Sequence, residues 1–247
     1  MAGTGWEIAR DSSTTSFNAA VCEGFHAPIF RLVGRRPKVY TVFPMNLSRQ
    51  HLLARFYDPV AAAGLREHEL AQRMFDAVGP TPRRILHLGC GRGWLTRRFA
   101  ERFPDCEVIG LDADPDIIAA AGELGGRVHW VLGRAEAPPV DGPFDAIVAS
   151  LLFHHIPRAA KRDAFAYAAK QLAPGGRLLL ADFARPHGLG MRLAFLPVQL
   201  ADGFEDTADN LDGSYLRLMA EAGLHHLRED GHRRTVLGSV ALYQASA

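Results

Sequence analysis

From Arg84 onward, short apolar runs of strand length alternate with segments whose apolar residues recur at helical spacing. That alternation belongs to a parallel sheet with crossover helices. Strands are predicted over residues 84–88, 107–111, 127–131, 144–150 and 176–182, with helices near 93–103, 116–123 and 158–172. Asp114 is placed to cap the second of these helices and Pro115 to occupy its first position, where a missing amide donor costs nothing. After Pro186 an irregular region is expected to about Asn210, then a helix to Ala222 and two strands, 224–229 and 235–244, forming an antiparallel ending. The expected fold class is α/β: a seven-stranded, mostly parallel sheet with an antiparallel last strand, helices on both faces and an N-terminal helical arm.

Upstream of the sheet the pattern differs. Residues 1–50 are Ser/Thr-rich with scattered aromatics and a basic knot at Arg35, Arg36 and Lys38, and they lack periodicity. They read as an arm packed on the domain or as a lid over a pocket. Residues 52–78 have helical spacing broken near Asp58-Pro59, and lead into the turn Gly79-Pro80-Thr81-Pro82. At about 150 residues per domain, 247 residues make one domain, 51–247, with the arm as its appendage.

With 28 Lys+Arg against 27 Asp+Glu, the net charge of +1 gives little of the electrostatic attraction on which nucleic-acid binding depends. Nucleic acid is therefore not an expected partner. Cys22, Cys90 and Cys106 are far apart and contain no CxxC pair, which speaks against a disulfide framework and a zinc cage. No secretory leader and no uninterrupted apolar run of about 18 residues is visible, so a cytoplasmic protein without a membrane span is expected.

The chemistry centres on the end of the first strand, which runs into Gly89-Cys90-Gly91-Arg92-Gly93 and directly into a helix. Ligands of open α/β sheets bind at such carboxyl ends, where glycines let the backbone approach and the helix offers free amides. Trp94 stands where the dinucleotide fingerprint GxGxxG requires its third glycine, a poor fit to pyrophosphate. About 20 residues on, Asp112 closes the second strand, where a carboxylate can accept hydrogen bonds from both hydroxyls of a ribose. The bland alternative is a loop carboxylate that caps a turn.

Several ordered pieces carry a family resemblance: Ile85-Leu86-His87-Leu88-Gly89-Cys90-Gly91-Arg92-Gly93, Gly110-Leu111-Asp112, Gly133-Arg134-Ala135-Glu136, Phe144-Asp145-Ala146-Ile147-Val148-Ala149-Ser150, His154-His155, and the run from Leu172 to Asp182 that contains Ala173-Pro174-Gly175-Gly176. Together they resemble the class I S-adenosylmethionine-dependent methyltransferases, and within them the ubiquinone/menaquinone-biosynthesis type that acts on small molecules. The resemblance spans about residues 55–247 and implies a Rossmann-like fold with S-adenosyl-L-methionine as cofactor. It implies that Gly89, Cys90 and Gly91 cradle the methionine part, that Asp112 holds the ribose with Ala113 beside the adenine, that Arg134 and Ala135 meet the adenine edge, and that Ser150 and Leu151 line the sulfonium region. The family usually carries an acidic residue where this chain has His87, a position that the resemblance implies binds the cofactor by helping to orient its amino group; His87 can accept a hydrogen bond there but supplies no negative charge. It often has Asp where Arg134 stands, and Arg offers the adenine amino group no acceptor, leaving backbone contacts or guanidinium stacking.

His154-His155 follows the fourth strand on the side where an acceptor would meet the methyl group. Either is suited to take a proton at neutral pH, or packs against the next helix. Tyr57, in Phe56-Tyr57-Asp58-Pro59, resembles a Tyr-Asp pair that borders the active site in such enzymes. His225, His226 and His232 read as exposed edge residues, and no metal is expected. Asp182, ending the fifth strand, is placed to face the pocket. The insert 185–210 carries Met191, Leu193, Phe195, Leu196, Val198 and Leu200, which points to an apolar acceptor. The expected function is methyl transfer to O or C of a small aromatic, polyketide or quinone-like metabolite, with a homodimer as a candidate assembly. The alternatives are a methyltransferase-fold protein that catalyses a cyclisation or rearrangement and, with contrary glycine spacing, an NAD-dependent oxidoreductase.

Overall fold

The computed structural model describes residues 67–123 and 125–247. The arm 1–50, the first part of the helical segment from Leu52, and Tyr57 lie outside them. Seven strands form one sheet in the order β3-β2-β1-β4-β5-β7-β6: β1 Arg84–Leu88, β2 Glu107–Asp112, β3 Val128–Leu132, β4 Phe144–Ser150, β5 Leu172–Ala184, β6 His225–Thr235 and β7 Gly238–Ser246. β1 pairs in parallel with β2 and β4, as do β2 with β3 and β4 with β5, whereas β7 is antiparallel to both β5 and β6. The chain winds outward from β1 to β3 and then returns to lay β4 against the other side of β1. The carboxyl ends of β1 and β4 are therefore the switch point at which such sheets bind ligands.

Both faces of the central strands are buried, which is why they read as continuous apolar runs. On one face Leu86, Leu88, Ile109, Leu111 and Ile147 pack with Phe165 and Ala168 of α4 (Arg158–Gln171) and with Leu218 and Met219 of α7 (Tyr215–Glu221). On the other, Ile85, Val108, Ala146 and Val148 meet Leu70 and Met74 of α1 (Glu67–Val78) and Phe99 and Phe103 of α2 (Trp94–Arg102). Helix α3 (Pro115–Glu123) starts as anticipated: Asp114 Oδ1 accepts the amides of Asp116 at 2.8 Å and Ile117 at 3.3 Å. β6, at the sheet edge, is largely exposed and carries His225, His226 and His232, a polar strand that discourages edge pairing.

The region expected to be irregular from Pro186 to Asn210 is instead largely helical. It forms α5 (Leu189–Asp202) and then enters α6 (Ala208–Asp212), while Gly213 separates α6 from α7 where a single helix was expected. α5 has two apolar sides. Phe195 and Val198 are buried against the face that holds α1 and α2, whereas Leu189, Leu193 and Leu200 are 72%, 60% and 69% exposed. Apolar residues all round, with Pro197 inside, leave none of the one-sided periodicity by which a helix is recognised.

Candidate active site

The glycine turn leaves β1 with Gly89, Gly91 and Gly93 all at positive φ (64°, 52° and 79°), conformations that only glycine adopts at low cost. The three differ in what surrounds them. A Cβ on Gly89 would lie 2.7 Å from Leu152 Cδ1, and one on Gly93 only 2.2 Å from Trp130 Cη2, so both glycines admit close packing. A Cβ on Gly91 would meet no atom of the described residues within 4 Å. Gly91 thus presents bare backbone to open space at the carboxyl end of β1.

Asp112 ends β2 next to this turn. Its Oδ2 accepts the Gly91 amide at 2.9 Å and its Oδ1 the Asp114 amide at 3.1 Å, while Cys90 N–H donates to the Leu111 carbonyl at 2.9 Å. Each carboxylate oxygen keeps a lone pair for a ligand diol. The capping role and the ribose role are therefore compatible in one side chain. Ala113 is exposed beside it, and Ala135 is buried. Arg134 is ion-paired through Nε with Glu136, so its guanidinium is partly committed before any base stacks on it.

His87 is buried in the layer between β1 and α2, where its Nδ1 lies 2.8 Å from Thr96 Oγ1 and its Nε2 has no partner among the described residues. Burial lowers its pKa to about 4, so the imidazole is neutral at pH 7. Cys90 is held as a thiol: burial, and then the Asp112 carboxylate, push it up to about 12. Burial pushes Cys106 to about 12 as well, with Asp145 and Glu107 adding to it. Thiolates carry the reactivity of cysteine, so iodoacetamide at pH 8 is expected to leave Cys90 and Cys106 unmodified in the native chain and to alkylate both after denaturation, as read by peptide mass spectrometry. Native labelling of Cys90 would show that the turn opens.

β4 exits through Ser150 and Leu151 into the one-turn 3-10 helix Phe153–His155. Leu151 is held at φ 53° with its amide on the Ala181 carbonyl at 2.8 Å, a left-handed conformation that costs a β-carbon about 1–2 kcal/mol. The next residue, Leu152, covers Gly89. His154 is buried, and its Nδ1 lies 2.8 Å from Oδ1 of Asp182, itself fully buried at the carboxyl end of β5. Asp182 accepts the Phe153 and Phe183 amides, both at 2.7 Å, and a longer bond from Asn210 Nδ2 at 3.4 Å. Burial opposes its ionisation, but the imidazole and the two amides outweigh burial and hold the carboxyl below its usual range. The His154 pKa is lowered by burial, which prevails over the pull of Asp182, so the imidazole is neutral. With Nδ1–H donated to the carboxylate, Nε2 is the basic atom. His155 is half exposed, with Nδ1 2.9 Å from Oδ1 of Asp202 at the end of α5.

Thus β1, β2 and β4 bring Gly89, Cys90, Gly91, Asp112, Ser150 and Leu151 to one end of the sheet, and His154 stands beyond them on Asp182. Thr96, Trp130, Asp202 and Asn210 are partners that no local motif announced. A groove at the insert, about 570 Å³, is lined by residues of α5, α6 and the turn between them, including Leu193, Leu196, Phe204 and Arg192, and no residue of the glycine turn borders it. No helix among the described residues is long and apolar enough to cross a membrane.

Residues 85–176 match the family described as Methyltransferase domain. The chain is 32% identical over 130 residues to the ubiquinone/menaquinone biosynthesis C-methyltransferase of Dinoroseobacter shibae, covering 49% of this chain and 51% of that protein. It is 35% identical over 156 residues to the trans-aconitate 2-methyltransferase of Streptomyces avermitilis, covering 58% and 57%. It thus spans about half the length of the curated relatives it matches. Among solved structures, a TehB-like S-adenosylmethionine-dependent methyltransferase of Corynebacterium glutamicum superposes with a TM-score of 0.55 at 20% identity, over 81% of this chain and 99% of that one. Strand order, glycine turn and family match agree: residues 85–176 are a methyltransferase domain, on the class I fold of S-adenosylmethionine-dependent methyltransferases.

Proposed function

We propose that the chain transfers a methyl group from S-adenosylmethionine to an oxygen or carbon of a small apolar acceptor of aromatic, polyketide or quinone-like character. The observation that carries this reading is the bare backbone at Gly91 beside a carboxylate, Asp112, that is fixed by the turn itself and still has free lone pairs. Gly89, Cys90 and Gly91 would hold the methionine part, Asp112 the ribose, Ala113, Arg134 and Ala135 the adenine, and Ser150 and Leu151 the sulfonium region. His87 acts at one remove, by fixing the start of α2 through Thr96. When bound, the cofactor supplies a methyl group on a sulfonium, and alignment of an acceptor with it can contribute about 7–11 kcal/mol. An acceptor that must lose a proton would deliver it to His154 Nε2, with Asp182 stabilising the imidazolium. Quinone chemistry is named for one relative and trans-aconitate, an acid, for another. The apolar class rests instead on the exposed leucines of α5, with 185–210 as the substrate-side insert.

A second reading is favoured by His87, which is buried and neutral where the resemblance implies a carboxylate. It is a methyltransferase-fold protein that binds the cofactor and catalyses a cyclisation or rearrangement. Calorimetric titration of the full chain with S-adenosylmethionine, its demethylated product and NADH tests the cofactor assignment. Micromolar binding of the first two without a response to NADH is expected, and NADH binding alone would overturn the proposal. Release of the demethylated product with any of a panel of phenolic and 1,3-dicarbonyl acceptors separates methyl transfer from the second reading.

A further inference from the structure

His154 Nε2 is buried and has no hydrogen-bond partner among the described residues, although Nδ1 of the same ring is firmly held by Asp182. A buried orphan nitrogen on an otherwise anchored imidazole calls for a ligand. It faces Asp202, with Nε2 3.8 Å from Oδ2, too long for a hydrogen bond. Two ligand atoms bound to one tetrahedral ion at about 2.1 Å each lie about 3.4 Å apart, so the observed gap needs to close by only a few tenths of an ångström. The third member is His155, whose ring centroid is 3.9 Å from that of His154 and whose Nδ1 already lies 2.9 Å from Asp202 Oδ1. One ligand atom from each of the three residues falls within 4.8 Å of the others.

We propose that His154, His155 and Asp202 form a site for one divalent first-row metal ion of the zinc or iron(II) class, at the carboxyl ends of β4 and β5. Two imidazoles and a carboxylate are the donor set those ions favour over magnesium or calcium. The support behind the ligands is of the kind metal sites require: Asp182 accepts Nδ1–H of His154 and so presents Nε2 to the ion, and is itself fixed by the Phe153 and Phe183 amides. The two carboxylates, Asp182 and Asp202, balance the double positive charge. Three protein ligands leave a fourth position, and His155, half exposed, marks the open side. On the methyl-transfer reading, that position takes an acceptor hydroxyl: its oxygen bonds to the metal, its O–H bond breaks and the proton passes to bulk water. In the loaded state His154 is a ligand, and the ion replaces it in ionising the acceptor.

The test is metal binding to the full chain, freed of any affinity tag and treated with a chelator, using Zn2+ in calorimetry and Co2+ in visible absorption. No cofactor is added, so the result is independent of whether S-adenosylmethionine binds. One equivalent of Zn2+ is expected at submicromolar affinity, with Co2+ giving d–d bands of a low-coordinate site. Asp202→Asn, which keeps the shape of the side chain, and His155→Ala, at a half-exposed position, are compatible with folding and should each weaken Zn2+ by about 100-fold. His232→Ala, which disrupts a second histidine pair among the described residues, His187 and His232, should change nothing. Absence of stoichiometric binding, or binding that survives Asp202→Asn, or that is lost only in His232→Ala, overturns the proposal.

Discussion

Gly91→Ala is expected to fold and to lose its cofactor, whereas Gly93→Ala, two residues away, should fail in stability first. At Gly91 the added methyl meets no atom of the described residues within 4 Å, so among them only the left-handed backbone opposes it, at about 1–2 kcal/mol. The same methyl projects into the space in which the proposed cofactor approaches the backbone, and overpacking there should weaken S-adenosylmethionine by about 10–100-fold. At Gly93 the methyl would stand 2.2 Å from the Trp130 ring, which also covers Gly110. Backbone strain and displacement of the indole together should cost about 2–4 kcal/mol. Urea denaturation midpoints and calorimetric titration of both variants read the two effects separately. Unchanged cofactor binding by a folded Gly91→Ala protein would remove the cofactor from this turn.

The contrast between those two glycines shows what the sequence makes visible. That the turn needs glycine at 89, 91 and 93 follows from its place between a strand and a helix, but which glycine packs and which stays open depends on Trp130 and Leu152, brought in by other strands. The central strands were legible because both faces are buried and their residues are uniformly apolar. β5 began four residues before its expected start, since it carries the Pro174-Gly175-Gly176 turn residues inside its range. α5 was illegible for the opposite reason: its leucines on the outer side mask the periodicity of Phe195 and Val198. The His154–Asp182 pair spans 28 residues and His155–Asp202 spans 47, so no local spacing could join them. The doublet marked the position, and the partners came from the sheet order, which puts the end of β5 beside the end of β4.

Asp182→Asn is the substitution expected to do most damage for the least change in shape. The native carboxylate is fully buried and accepts from His154, the Phe153 and Phe183 amides and Asn210. An amide of the same shape has one oxygen, so its NH2 group must face at least one of those donors. If the oxygen stays with His154 and Phe183, the Phe153 amide loses its acceptor; if it turns to Phe153, the imidazole does. Leaving a donor to a buried charged group unsatisfied costs about 2–4 kcal/mol, a substantial part of a domain's stability. The second consequence is chemical, because an amide NH2 against Nδ1 favours the tautomer that carries its proton on Nε2, which is then neither base nor ligand. Methyl transfer to acceptors that must lose a proton should therefore fall by about 100-fold or more, while S-adenosylmethionine still binds at the glycine turn. His154→Gln is the informative companion, since it abolishes the base but leaves Asp182 with both amides. It should lose as much activity and distinctly less stability, measured by urea denaturation. If His154→Gln proves the less stable of the two, the imidazole rather than the carboxylate organises this corner of the sheet, and the assignment of Asp182 as the residue that positions His154 fails.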